Sequence, residues 1–146
     1  MPILRPIPIH THGKPLGKRV SEWLFGIRRW EVIEDFIFAP VTGPKILIPR
    51  GFAFDGASIP RMFWWLLNPT GILLIPGLIH DFAYRYEFLF LVQSVCTIEK
   101  QPVTRKEADD LFMGLCLEVN GMPVISGISW SLLRLFGSIA WNKNKN

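Results

Sequence analysis

The chain has 146 residues, of which 49% are hydrophobic, so a largely disordered protein is excluded and a single domain with a hydrophobic core is favoured. Sixteen Lys and Arg residues against twelve Asp and Glu residues give a formal net charge of +4. Basic and aromatic residues are not interleaved as in a dedicated nucleic-acid reader, so nucleic acid is not an expected partner.

The two ends of the chain differ from its middle. Residues 1–20 are rich in Pro, Gly and His and lack periodicity, which predicts an irregular N-terminal arm. A single domain is expected over residues 21–141, followed by a polar tail at 142–146. Prolines near the N-terminus interrupt the apolar run that a signal peptide needs, so no secretion signal is expected.

Strands are predicted first along the chain. The segment Trp30–Phe38 is partly alternating and rich in β-branched and aromatic residues, as a half-buried strand should be. Residues 40–44 supply a turn, Lys45–Pro49 follows as the partner strand, and residues 51–54 extend it after a break. A small antiparallel sheet is therefore predicted.

The apolar stretch at residues 62–79 covers the end of one predicted helix, a turn and the start of a second helix. Ser58 is the expected N-cap of a short helix opened by Pro60, and a second helix is expected from about Pro76 to Tyr86. Prolines and glycines between these helices favour a buried turn, so no transmembrane helix is expected. The next segment, residues 88–103, is compatible with a longer helix or with a strand of a hairpin.

Two further helices are predicted in the last third of the chain. Thr104 and Glu107 have the spacing of a capping box, which begins a third helix. The stripe on that helix consists of Ala108, Phe112, Leu115 and Val119. A fourth helix is expected over residues 123–141. A small N-terminal sheet followed by three to four packed helices makes a single α+β domain.

The two cysteines, Cys96 and Cys116, lack the spacing of a structural zinc site. In a chain with a large core they are expected to be small buried thiols rather than a disulfide.

Ionisable residues occur in three segments with apolar surroundings. The first holds Asp55, Ser58 and Arg61, the second His80, Asp81 and Tyr84, and the third Arg105 and Asp109. A buried charge costs several kcal/mol unless it is paired and hydrogen-bonded, so these groups are expected to meet in space. Such a meeting is either a polar cluster that holds the core together or an active site.

The catalytic hypothesis assigns a role to each member of the second segment. His80 and Tyr84 lie four apart on one helical face, and His80 could act as a general base that activates water. Asp109 would hold the other ring nitrogen, with Tyr84 in support. Asp81 could bind a hard divalent cation such as calcium, since carboxylate oxygens suit that ion.

Each of these residues also has a purely structural interpretation. Asp81 and Arg85 are spaced for a helix-surface ion pair that would leave His80 as a core histidine, and Arg105 and Asp109 are spaced for another. Asp55 suits a turn before a helix, and Ser58 is better explained as an N-cap than as a nucleophile. Arg61 is favoured as a clamp that stacks on a neighbouring ring and holds a carboxylate.

Several of these motifs together resemble the family catalogued as domain of unknown function 1353, found largely in tailed phages and prophages. The resemblance covers roughly residues 45–141 and rests on four motifs: Gly51-Phe52 through Asp55 to Arg61, His80-Asp81 with Tyr84, Arg105 with Ala108-Asp109 and Phe112, and Phe136-Gly137 with Trp141. It implies a phage origin and leaves the mechanism open.

A second resemblance concerns chemistry. His80-Asp81 with Tyr84 on one helix, answered by Asp109 on a later one, looks like the catalytic helices of the phospholipase A-two superfamily. That resemblance implies that His80 is the base, Asp81 a calcium ligand, and Tyr84 and Asp109 its supports. The Gly-rich, Cys-containing calcium loop of that superfamily has no counterpart here, because residues 71–77 are aliphatic.

Two classes of function follow. The first is a phage-encoded hydrolase-like protein that acts on a lipid or cell-envelope ester or amide. The second is a virion or host-interaction protein whose polar cluster only fixes helix packing and whose arm binds phage structural proteins or a host factor. A membrane surface is a third candidate partner through Trp64, Trp65 and the basic termini. The expected location is the virion or the host cytoplasm.

Overall fold

A computed structural model describes residues 1–8, 13–19, 29–54, 73–94 and 97–143. The strands are β1 (Leu4–Ile7), β2 (Arg29–Val32), β3 (Phe36–Phe38), β4 (Lys45–Ile48), β5 (Ala53–Phe54), β6 (Phe88–Ser94) and β7 (Thr97–Pro102). The helices are α1 (Leu74–Tyr86), α2 (Arg105–Asn120) and α3 (Pro123–Lys143). These elements confirm the α+β class.

The strands form two antiparallel sheets. One has the order β1-β2-β5 and the other the order β3-β4-β6-β7. The prediction of a single strand over Trp30–Phe38 is wrong, because β2 and β3 lie in different sheets. The break falls at Glu34 and Asp35, where the Asp35 carboxylate accepts a hydrogen bond from the Arg50 backbone N–H at 2.8 Å.

The predicted hairpin after this break is confirmed. β3 pairs with β4 so that Phe36 lies opposite Ile48 and Phe38 lies opposite Ile46. β5 does not extend β4 within the same sheet, as the sequence suggested, but pairs with β2 in the other one. Gly51, with a φ of +82°, lies where the chain crosses between the two sheets, in a conformation that favours glycine.

The ambiguous segment 88–103 forms the hairpin of β6 and β7, with Phe88 opposite Pro102. The predicted arrangement of a sheet followed by helices is therefore wrong, since this hairpin lies between α1 and α2. The N-terminal segment expected to be irregular contributes β1, which pairs with β2 from Leu4 opposite Val32 to Ile7 opposite Arg29.

Local signals in the sequence explain the ends of the helices. The Thr104 backbone N–H donates to the Glu107 carboxylate at 2.7 Å, and the Glu107 N–H donates to the Thr104 hydroxyl, which confirms the capping box that begins α2. Gly121, with a φ of 60°, ends this helix. α1 ends at Tyr86, and its C-cap residue Glu87 adopts the same left-handed conformation.

The core lies where α1 packs against the sheets and the later helices. Phe82 on α1 contacts Phe52, Phe88 and Phe90, with ring centroids 5.1 to 5.9 Å apart. Of the predicted α2 stripe, Ala108, Phe112 and Leu115 are buried, whereas Val119 is 39% exposed because it lies in the last turn. Cys116 is buried and free, and burial raises the pKa of its thiol to about 12.

None of the helices in the described residues is long and apolar enough to cross a membrane. The short helix predicted after Ser58, Trp64 and Trp65, and Cys96 lie outside the described residues.

Candidate functional site

Helix α1 carries the first half of the candidate site. His80 and Tyr84 lie one helical turn apart and share a buried face, with exposed fractions of 5% each. Their rings are in contact, with centroids 4.0 Å apart. Phe112 of α2 packs its ring edgewise on His80 at 5.3 Å. The imidazole is therefore held between aromatic side chains.

Asp109 of α2 is the centre of the site. Its side chain is completely buried, and its Oδ1 atom lies 3.1 Å from His80 Nε2 and accepts a hydrogen bond from the Tyr84 hydroxyl at 2.5 Å. Its Oδ2 atom accepts a hydrogen bond from Arg134 Nη1 of α3 at 3.3 Å. Three donors from two helices thus compensate the cost of burying this carboxylate.

Helix α3 completes the site, in addition to α1 and α2. A Cβ atom added to Gly137 would lie 2.5 Å from the Tyr84 hydroxyl, so only glycine allows this approach of α3 to Tyr84. One turn later Trp141 packs edge-on against the Tyr84 ring, with centroids 5.0 Å apart. Arg134, Gly137 and Trp141 follow the i, i+3, i+7 spacing of one helical face.

The electrostatics of the site favour a charged pair. Burial is the largest influence on His80 and lowers its pKa, but the hydrogen bond to Asp109 and the attraction of the Asp81 and Asp109 carboxylates together raise it above the ordinary value. Burial likewise raises the pKa of Asp109, yet the hydrogen bonds from His80 and Tyr84 bring it below the usual range. Burial and the hydrogen bond to Asp109 raise the pKa of Tyr84.

Asp81 lies on the other side of the imidazole. Its Oδ1 atom is 3.9 Å from His80 Nδ1, and its side chain is 15% exposed. Within the described ranges, no three His, Cys, Asp or Glu side chains are grouped so that they could hold a metal ion. The described residues therefore do not fit the calcium site expected at Asp81, which would need several oxygen ligands.

The local ion pair expected between Arg105 and Asp109 is absent from the described residues. Asp109 faces inward to His80 and Arg134 instead. The Nη1 atom of Arg105 is buried and has no hydrogen-bond partner among the described residues. Its positive charge still acts on Tyr84, whose pKa it lowers in part.

Arg85 was the suggested helix partner of Asp81. In the structure it donates from Nη1 to the Ala53 carbonyl of β5 at 2.7 Å, and its guanidinium lies 5.4 Å from the centre of the Phe52 ring. These two contacts attach α1 to the end of β5. Three predicted members of the cluster, Asp55, Ser58 and Arg61, lie outside the described residues.

Arg134 was not among the predicted site residues. A signal was present, because Arg134 stands three residues before Gly137 and seven before Trp141 in a largely apolar helix. An arginine on the face of a helix that carries a small and an aromatic residue is a candidate partner for a buried carboxylate.

The fold and the site define an α+β protein in which three helices converge on a buried Asp109 held by a histidine, a tyrosine and an arginine. The chain belongs to the family described as protein of unknown function (DUF1353), which matches residues 30–131. The match includes His80 and Asp109 and ends before Gly137 and Trp141. Comparisons with curated proteins and with solved structures found no match.

Proposed function

We propose that the protein is a hydrolase-like enzyme in which His80, oriented by Asp109, acts as a general base on an ester or amide of a lipid or of the cell envelope. The observation that carries this proposal is the 3.1 Å contact between His80 Nε2 and the buried Asp109 Oδ1. A catalytic base needs a fixed orientation and a partner that stabilises its protonated form, and this contact supplies both.

The Asp109 contact also fixes which ring nitrogen can act. Asp109 is ionised because its pKa is lowered, so it accepts a hydrogen bond from the N–H at Nε2. The neutral imidazole then carries its proton on Nε2 and its lone pair on Nδ1. Nδ1 faces Asp81 Oδ1 at 3.9 Å, a separation at which one water molecule can hydrogen-bond to both atoms.

The proposed reaction uses this geometry. Nδ1 of His80 removes a proton from water while the water oxygen attacks the carbonyl carbon of the substrate. The resulting imidazolium is stabilised by Asp109, whose carboxylate is held in turn by Tyr84 and Arg134. His80 then returns the proton to the leaving oxygen or nitrogen as the ester or amide bond breaks.

The proposal is tested with a substrate panel. Purified protein would be incubated with chromogenic acyl esters of short and long chain, with vesicles of phosphatidylethanolamine and phosphatidylglycerol, and with peptidoglycan fragments. We expect turnover of one of these classes, and a loss of about a hundredfold or more in His80→Gln, the usual contribution of a general base. Circular dichroism and thermal unfolding would check that the variant is folded.

The pH profile provides an independent test of the role of His80. Only the neutral imidazole can accept the proton, so activity should rise with pH through the raised pKa of His80. A folded protein that hydrolyses nothing in the panel, or a His80→Gln variant with full activity, contradicts the proposal.

A second function is favoured by a specific observation. His80 is only 5% exposed, Asp109 is fully buried, and both Asp109 oxygens already have partners within the protein. These features suit a cluster that only fixes helix packing, and they support a non-enzymatic virion or host-interaction protein of a phage. β1 supports it further, since the N-terminal segment presents a partly exposed edge strand.

Mass spectrometry of purified particles of the encoding phage separates the two functions. A constant copy number per particle supports the virion protein, and absence from particles counts against it.

A further inference from the structure

A groove of about 440 Å³ lies between helix α2 and the four-stranded sheet. It is not part of the proposed hydrolase site. Its helical wall consists of the α2 face that carries Glu107, Leu111, Gly114 and Glu118, with spacings of three and four residues. His80, Tyr84, Asp109 and Arg134 do not line it. The groove is thus a second candidate site on the same helix.

The floor and the rim of the groove differ in chemistry. The floor is apolar and consists of Ile46 of β4 and Leu89 and Leu91 of β6. Three carboxylates from α2 stand on the rim, and among the described lining residues there is no Lys, Arg or His. This negative rim contrasts with the net charge of +4 of the whole chain.

Hydrogen bonds hold the three carboxylates in place, and among their described contacts no buried cation neutralises them. Glu107 accepts the backbone N–H of Thr104, which lowers its pKa, and Glu118 accepts the backbone N–H of Val41 at 2.9 Å. Asp110 accepts the Trp130 indole N–H and lies 3.7 Å from the exposed Lys106 ammonium. An exposed pair of this kind is weak, so an incoming cation can compete for Asp110.

We propose that this groove binds an extended peptide segment of a partner protein, in which an apolar side chain lies between two basic residues four positions apart. Asp110 and Glu118 are separated by about 12 Å along the helix axis. Basic residues four apart on an extended strand are separated by about 13 Å and point to the same side, as does the residue midway between them. The basic side chains would reach the two carboxylates, and the apolar one the floor.

The experiment is an NMR titration of the full-length, ¹⁵N-labelled protein with the synthetic peptide acetyl-Lys-Ala-Leu-Ala-Lys-amide. We expect shifts of the Leu111, Gly114 and Glu118 amides at low salt and weaker binding at high salt. The isosteric double variant Asp110→Asn, Glu118→Gln keeps both hydrogen-bond acceptors and should weaken binding about five- to tenfold.

A variant that fills the groove tests its role directly. No described atom lies within 4 Å of a Cβ added at Gly114, so Gly114→Leu should place its side chain in the open groove and abolish binding. Glu99→Gln, on the exposed strand β7 and outside the groove, is the matched control and should bind as the wild type does. Thermal unfolding checks that all variants are folded.

Three results would overturn this inference. The acidic peptide acetyl-Glu-Ala-Leu-Ala-Glu-amide binds equally well, or Gly114→Leu leaves binding unchanged. Alternatively, sedimentation shows a self-association that Gly114→Leu abolishes, in which case the occupant is a second copy of this chain. None of these results depends on His80, so failure here is distinguishable from failure of the proposed hydrolase.

Discussion

At the residue scale, the carboxylate of Asp109 determines how the other polar groups of the site are arranged. It accepts hydrogen bonds from side chains of both α1 and α3 while it is completely excluded from solvent. Removal of one partner from such a buried pair leaves the other charge without compensation. The proposed catalytic role of His80 and the stability of the fold therefore depend on the same atoms.

Asp109→Asn should reduce the free energy of unfolding by about 3 kcal/mol, because it removes the negative charge that faces His80 and Arg134. Urea unfolding followed by circular dichroism measures this loss. Asp110→Asn is the matched control, since the neighbouring carboxylate is 47% exposed and its change should have little effect. Equal losses in the two variants would show that Asp109 has no special role.

The pKa shifts of His80 and Asp109 predict a window of pH in which the site stabilises the fold. Folding raises the pKa of His80, so its contribution is complete below about pH 6.5 and is lost as the pH rises through the raised pKa. Folding lowers the pKa of Asp109, so its contribution is complete above about pH 3.9 and is lost as the pH falls through the lowered pKa.

To measure this window, the free energy of unfolding is determined for the wild type and for His80→Gln from pH 3 to pH 10. The difference between the two values at each pH reports the contribution of His80. The difference should be largest between the two pKa values and should shrink towards alkaline pH. A difference that grows above pH 8 would mean that His80 is stabilised in its neutral form.

Part of the site could be predicted from the sequence and part could not. The spacing of His80 and Tyr84 on one helix, and the need of buried charges for partners, were sufficient to expect their meeting with Asp109. Which arginine pairs with Asp109, Arg105 or Arg134, could not be predicted from the sequence, because it depends on how α2 and α3 cross. Local spacing favoured Arg105, whereas packing selects Arg134.

At the element scale, the contact between α1 and α3 depends on one glycine. Gly137→Ala would place a Cβ atom 2.5 Å from the Tyr84 hydroxyl, and overpacking of this kind typically costs about 1 to 3 kcal/mol. The better helix propensity of Ala offsets about 1 kcal/mol of this cost. A net loss of stability in thermal unfolding is therefore expected.

A second substitution isolates this contact. In a Tyr84→Phe background the hydroxyl is gone and the nearest ring carbon lies at 3.4 Å, so Gly137→Ala should cost less there than in the wild type. Gly127→Ala, in the same helix but with no described atom within 4 Å of the new Cβ, should instead stabilise by about 0.5 to 1 kcal/mol. Identical effects at Gly127 and Gly137 would rule out the proposed close approach.

The position of Asp109 also depends on the start of α2. Thr104→Ala removes the hydroxyl that accepts the Glu107 N–H, and the usual loss for such a cap is about 1 kcal/mol. Thr104→Ser keeps the hydroxyl and should retain most of the stability in the same urea titration. If Ser is no better than Ala, the cap does not contribute.

The elements that the sequence predicts well are those with local signals. The capping box marks the start of α2 and Gly121 marks its end, and each signal lies within a few residues of the helix end that it predicts. Strand partners are not local, and for that reason the sequence did not show that β2 and β3 separate into two sheets. The apolar run from Phe88 to Val92 was ambiguous because periodicity alone does not distinguish a short buried strand from a helix.

At the scale of the whole molecule, α1 connects the sheets with the polar site. Its Phe82 side packs on the aromatic residues of β6 and on Phe52, while His80 and Tyr84 face α2 and α3. Phe82 lies two residues from each of them and therefore points to the opposite side of the helix. One helix of 13 residues therefore carries both the aromatic contacts to the sheet and the His80 and Tyr84 side chains of the site.

This arrangement predicts an order of hydrogen exchange. β4 and β6 are the inner strands of the larger sheet and carry buried Ile46, Ile48, Leu89 and Leu91, so their amides should exchange through global unfolding only. β1 is an edge strand with two exposed residues, and β7 is exposed along its whole length, so both should exchange faster. Mass-resolved exchange of peptides that cover these strands measures the order. Protection of β1 equal to that of β6 would instead place the smaller sheet in the same cooperative unit as α1 and the core.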